Sequence, residues 1–199
     1  MKIKAIQLKA ENPFTWASGW KSPIYCDNRI TLSFPDIRAN LKQQMIRIIQ
    51  EKYDNVQVIA GVATGAIALG VLIADDLGLP FVYVRPEAKG HGRQNKIEGF
   101  LDKGKRVLVI EDLISTGGSS LKAVEALRES QAEVLGMLAI FTYGFSISTE
   151  KFDLAKCELT TLSDYSHLLE ISLKTGFISD KEHQLLSSWR ANPSEWSPN

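Results

Sequence analysis

Hydrophobic and polar positions change period along this chain, and each change marks an element. Ile37, Leu41, Met45, Ile48 and Ile49 fall at helical spacing and give one apolar face to a helix opened by Pro35. Proline suits a first helical turn, and Ser33 is the expected N-cap, with Asp36 in the third position after it. Short apolar runs at Val56–Ala60, Phe81–Arg85, Val107–Ile110, Val134–Thr142 and Leu159–Leu162 read as strands. Between them lie helical stretches, one of small residues ending near Leu77 and one over 121–130. Gly78-Leu79-Pro80 breaks the chain before the second strand. Strands alternating with helices predict an α/β fold with a largely parallel sheet covered on both faces.

Two regions carry no period. The first ~30 residues are irregular and aromatic, and residues 86–99 are almost devoid of apolar side chains. A long loop inside a compact domain is commonly functional or disordered. Residues 165–199 read as a helical hairpin with an irregular tail from Asn192; Gly176 ends its first helix, and Ser179 with Glu182 has capping-box spacing.

Chemistry concentrates after the third strand. Val107–Ile110 runs into an acidic pair, Glu111 and Asp112, then the turn Ser115-Thr116-Gly117-Gly118-Ser119 and a helical pattern from Leu121. A strand ending in such a turn at a helix N-terminus makes an anion cradle, because free amides and the helix dipole point at the ligand. Carboxylates accept hydrogen bonds from hydroxyls, so the pair together with the cradle suits a sugar phosphate. No Gly-Lys-Ser/Thr follows the glycines, and no G-x-G-x-x-G is present here, so neither a Walker loop nor a dinucleotide fingerprint is indicated.

Composition narrows the partners. At 199 residues, the length suits one α/β domain, and 23 basic against 23 acidic residues give zero formal charge. Nucleic acid or an anionic membrane surface therefore gains no electrostatic support. Cys26 and Cys157 match no metal or redox spacing and read as thiols of a reducing compartment. The lysine-interrupted start is no signal peptide, and no apolar run approaches a spanning length, so a cytoplasmic location is expected. His167 and His183 sit on helical patterns without ligand partners and read as structural.

The segment 107–120 resembles the phosphoribosyl-pyrophosphate (PRPP) signature of the type I phosphoribosyltransferases: hydrophobic strand, two acids, threonine-glycine turn. Two further stretches resemble the orotate branch of that family: Ala88-Lys89-Gly90-His91-Gly92, similar to its mobile loop, and Phe14–Arg29, similar to its hood over the base. Gly61-Val62-Ala63-Thr64-Gly65 matches the family's pyrophosphate loop in position only. The resemblance implies a single domain over 1–199: a hood (1–34), a PRPP-binding core (35–162) and C-terminal helices (163–199).

It implies PRPP contacts from Arg85, Lys89, His91, Glu111, Asp112, Leu113, Ile114, Ser115, Thr116, Gly117, Gly118 and Ser119, with Ser115 also touching orotate. Lys89, His91 and Asp112 would be catalytic. Mg²⁺ would arrive on substrate oxygens rather than on protein side chains, and two subunits of a homodimer would share each active site. The implied reaction joins orotate to PRPP, giving orotidine 5-phosphate and pyrophosphate; the hood and the Lys-x-His-Gly loop speak against a purine base. Three positions depart from the pattern: Ala17 and Pro86 stand where many relatives have lysine, and Phe141–Gly144 lacks an arginine that some relatives use for the orotate carboxylate. Lys21 and Arg29 are the open candidates for that contact.

Overall fold

The computed structural model describes residues 2–9, 12–16, 19–85 and 96–197. Two short antiparallel pairs begin the chain, β1 (Ile6–Leu8) with β4 (Ile24–Cys26) and β2 (Phe14–Thr15) with β3 (Lys21–Ser22). The expected irregular N-terminus is thus built of four small strands. A 3₁₀ turn, Asn28–Ser33, leads into α1 (Pro35–Lys52). Ser33 lies inside that turn and does not cap α1: Phe34 holds the N-cap position, without a side-chain bond, while Asp27 caps the 3₁₀ turn by accepting from the Arg29 amide.

The core alternates β5 (Val58–Val62), α2 (Ile67–Leu77), β6 (Phe81–Val84), β7 (Ile97–Glu98), β8 (Arg106–Ile114), α3 (Gly118–Glu129), β9 (Glu133–Thr142), α4 (Ser146–Leu154) and β10 (Leu159–Asp164). The sheet order is β10-β9-β8-β5-β6-β7, parallel throughout except for β7, which returns antiparallel to β6. Strand β7 lies within the span read as loop, and α4 was not anticipated. Strand β5 starts and ends two residues later than expected because Gly61 and Val62 pair with Tyr83 and Val84. Strand β8 continues through the acidic pair: Glu111 faces Ala139 of β9, and Leu113 faces Phe141. The acids are therefore in the strand rather than beyond it, and α3 begins at Gly118 rather than Leu121.

Strand alternation divides the core. Val107 and Val109 pack with Leu121, Val124 and Leu127 of α3 on one face. Leu108 and Ile110 pack on the other with Met45, Ile46 and Ile49 of α1 and Leu69 and Ile73 of α2. Ile37, expected on the buried face of α1, is exposed. Two helices complete the chain, α5 (Tyr165–Lys174) and α6 (Asp180–Ala191). The capping box at Ser179 and Glu182 is present, and Gly176 adopts φ +68° just past the end of α5. A third cluster joins these helices to the N-terminal strands: Ile24, Tyr143, Phe145 and Tyr165 surround a fully buried Trp189, whose Nε1 donates to the Lys21 carbonyl at 3.1 Å. Among the described residues no helix is long and apolar enough to cross a membrane.

Candidate active site

Parallel strands leave a crevice beyond their C-terminal ends, where α/β sheets bind ligands. A cleft of about 390 Å³ opens there between β5 and β8. Its floor is the turn Val62–Gly65 and the segment Glu111–Leu113; Ser119 of α3 borders it, and Cys26, Asp27 and Arg29 form the opposite wall.

The turn expected to form an anion cradle has a defined local geometry. Gly117 takes φ +75° as N-cap of α3, a left-handed conformation that glycine adopts without steric cost. A Cβ there would also stand 2.9 Å from the Phe152 ring. With the chain so turned, the first-turn amides of Gly118, Ser119 and Ser120 have no intrahelical acceptor and carry the positive end of the helix dipole. Of the turn residues assigned to phosphate, Ser119 borders the cleft itself.

The two acids have different surroundings. Glu111 is 5 % exposed, and its oxygens accept from the Asp112 amide at 2.9 Å and the Ser120 hydroxyl at 2.8 Å. Burial, then the neighbouring Asp112 carboxylate, raise its pKa well above the ordinary carboxylate range. Asp112 is half-buried and borders the cleft beside Gly65. Its carbonyl accepts from Asn28 Nδ2 at 2.6 Å, which ties the N-terminal wall to the strand. The peptide bond joining Ala63 and Thr64 in the facing turn is cis.

On the wall, Arg29 grips Asp27 with two parallel bonds, Nε to Oδ1 at 2.7 Å and Nη2 to Oδ2 at 2.9 Å. The pairing lowers the Asp27 pKa and raises that of Arg29, so both stay charged. The Cys26 thiol is pushed up to about 12 by burial, then by Asp112 and Asp27. It remains protonated and serves as a small, weakly polar surface rather than a nucleophile.

Other expected residues lie elsewhere. Arg85 directly follows β6 outside the cleft lining, its Nη1 3.5 Å from Glu98 Oε1. Lys21 sits on the exposed β2–β3 hairpin and donates to Thr15 Oγ1. Lys89 and His91, with Ala17 and Pro86, lie outside the described residues. Sequence reasoning gave no role to Asn28 and Ser120, whose side chains bond the Asp112 carbonyl and the Glu111 carboxylate. Thr64 and Gly65, in the turn matched by position to a pyrophosphate loop, do border the cleft. Among the described residues no group of three or more His, Cys, Asp or Glu converges as a metal site.

A parallel sheet, a helix-capped anion cradle and a carboxylate in the cleft between them define a sugar-phosphate-handling enzyme class. The family model for the phosphoribosyl transferase domain matches residues 35–162, and the chain belongs to that family. Over 196 residues it is 57% identical to an orotate phosphoribosyltransferase of Phocaeicola vulgatus, covering 98% of this chain and 92% of that one. It is 56% identical to the protein of the same name from Porphyromonas gingivalis, covering 98% and 93%. The crystal structure of orotate phosphoribosyltransferase from Aeropyrum pernix superposes with a TM-score of 0.78 at 29% identity, covering 89% of this chain and 96% of that one.

Proposed function

We propose that this protein transfers the 5-phosphoribosyl group of PRPP to orotate, giving orotidine 5-phosphate and pyrophosphate in pyrimidine nucleotide synthesis. The observation that carries the reading is Asp112, a carboxylate held in the cleft between Gly65 and the first turn of α3. The α3 turn receives the 5-phosphate through backbone amides, and Asp112 accepts from the ribose hydroxyls. As orotate N1 bonds to the sugar C1, the C1–O bond to pyrophosphate breaks and its electron pair leaves with pyrophosphate. Positive charge grows on the ribose, and a fixed carboxylate beside it lowers the barrier by preorganised electrostatics. Glu111, largely enclosed by protein, steadies the Asp112 amide and Ser120 as well as bordering the ribose.

Mg²⁺ suits this cleft as a companion of PRPP. Its hard-oxygen preference matches the pyrophosphate and ribose oxygens of the substrate, and water would complete the shell without a protein side chain. Bound so, the ion would neutralise leaving-group charge. We assign Arg85, Lys89 and His91 to pyrophosphate in a homodimer whose protomers contribute to each other's sites. The reading places the chain in the cytoplasm, where Cys26 and Cys157 persist as free thiols.

The test is pyrophosphate release from PRPP with orotate, adenine and xanthine offered separately. Orotate-dependent release alone supports the reading, and release with a purine but not with orotate overturns it.

A further inference from the structure

The reaction brings two anionic substrates into the cleft. Among the described residues bordering it, Arg29 alone is cationic, against the carboxylates Asp27, Glu111 and Asp112. The Arg29 side chain is 58% exposed and that of Asp27 18%, and an ion pair so open to water contributes little to stability. The pair does fix an orientation. With Nε and Nη2 committed to Asp27, Nη1 has no hydrogen-bond acceptor among the described residues, so one edge of the planar fork stays available. Asn28, between the paired residues, donates to the Asp112 carbonyl, so the guanidinium is anchored to the strand that carries the ribose carboxylate.

Position selects the anion. Phosphoryl groups have backbone turns to receive them, at the start of α3 and at residues 63–65. Arg29 instead lines the cleft alongside the uncharged Cys26 thiol, and the apolar side chains of Val62 and Leu113 in the same lining can take the flat face of a base. The charged group a pyrimidine can bring to that wall is a ring carboxylate. We propose that Arg29 is the specificity-determining residue that takes the orotate carboxylate through its free edge, with Asp27 aligning the guanidinium. The inference rests on orotate being the base. A base lacking the carboxylate forgoes the charge-assisted contact with the free edge of Arg29, and that difference is the basis for discrimination.

Orotidine 5-phosphate and uridine 5-phosphate differ by that carboxylate alone, so their binding to the full-length protein, followed by tryptophan fluorescence, isolates the contact. Wild type should prefer orotidine 5-phosphate. Arg29→Met should cut the preference about 100-fold by weakening that ligand alone, the scale of a lost charge-assisted bond. Arg29→Lys, which keeps charge but loses the fork, should fall between, and KM for PRPP should move less than about twofold in both variants. A preference that survives Arg29→Met, equal weakening of both nucleotides, or a rise confined to KM for PRPP would each overturn the assignment. Should Arg29→Met not fold, Arg29→Gln replaces it; failure of all three to fold would assign the pair to stability and overturn the proposal too. Wild type that does not turn over orotate defeats the functional reading itself. Orotate turnover with an unchanged preference in Arg29→Met defeats the Arg29 assignment alone.

Discussion

The α-carbon of Gly65 approaches the Asp112 carboxylate so closely that a Cβ at residue 65 would overlap Asp112 Cγ and both its oxygens. The residues come from neighbouring elements, the turn after β5 and the end of β8. Glycine is required here for close approach rather than for a left-handed backbone. With Asn28 holding the Asp112 carbonyl, the carboxylate is placed between two supports distant in sequence.

Gly65→Ala should displace Asp112 and lower kcat/KM by about 100-fold or more, since small misplacements of a reacting group carry such losses. Overpacking should also remove about 1–3 kcal/mol of stability. Steady-state kinetics with a denaturation curve checks both, and wild-type kcat/KM would remove the contact from the mechanism.

Asn28→Ala should remove about 1–3 kcal/mol of stability, because a buried carbonyl loses its donor. With that support gone, kcat should fall more than KM for PRPP rises. Chemical denaturation and initial rates read the two effects separately; a stability loss with unchanged kcat would show that Asn28 only braces the fold.

Glu111 ties stability to pH. Its folded pKa is raised by burial and by Asp112. Unfolding therefore releases a proton once pH exceeds the ordinary carboxylate range, and this group's contribution to stability declines as pH rises through that window. Glu111→Gln abolishes the titration, so its melting temperature relative to wild type should climb between about pH 5 and about pH 9. Parallel melting curves for the two proteins across that range would refute the shift.

Trp189→Ala should destabilise the protein by about 3–5 kcal/mol, the range for emptying a buried aromatic site. It also frees the Lys21 carbonyl, so KM for orotate should rise more than KM for PRPP. A denaturant series with paired KM measurements tests this, and equal KM changes would contradict the coupling.

Lys89→Ala and Asp112→Ala subunits, each nearly inactive alone, should regain part of the activity when mixed if protomers share sites. One of the two sites in a mixed dimer would then carry neither lesion. Verified heterodimers without recovered turnover would rule out sharing.

Much of this architecture was legible in the chain itself. The run Val107–Ile110 places successive side chains on opposite sheet faces, and both faces are buried as that pattern requires. The cradle was legible because Glu111, Asp112 and the glycine turn are contiguous, so local rules apply. Strand β7 was not, since its two residues are defined by pairing with Tyr83 and Val84 rather than by any period of their own. Helix α4 escaped because Ser146, Ser148 and Thr149 leave its first turns without an apolar period, whereas packing of Phe152 against the core holds it. Asn28 stands 84 residues from Asp112, and although Gly65 fell in a turn singled out from the sequence, its close approach to Asp112 shows only in the fold.

The bond from Trp189 to the Lys21 carbonyl joins residues 168 positions apart. During translation, strands β5 to β9 can pair and the turn before α3 can form while α6 is still in the ribosome. The β2–β3 hairpin gains this buttress only after residue 189 emerges. On the proposed function, a nascent chain would thus acquire its grip on the sugar phosphate before it acquires any selectivity for what is joined to it.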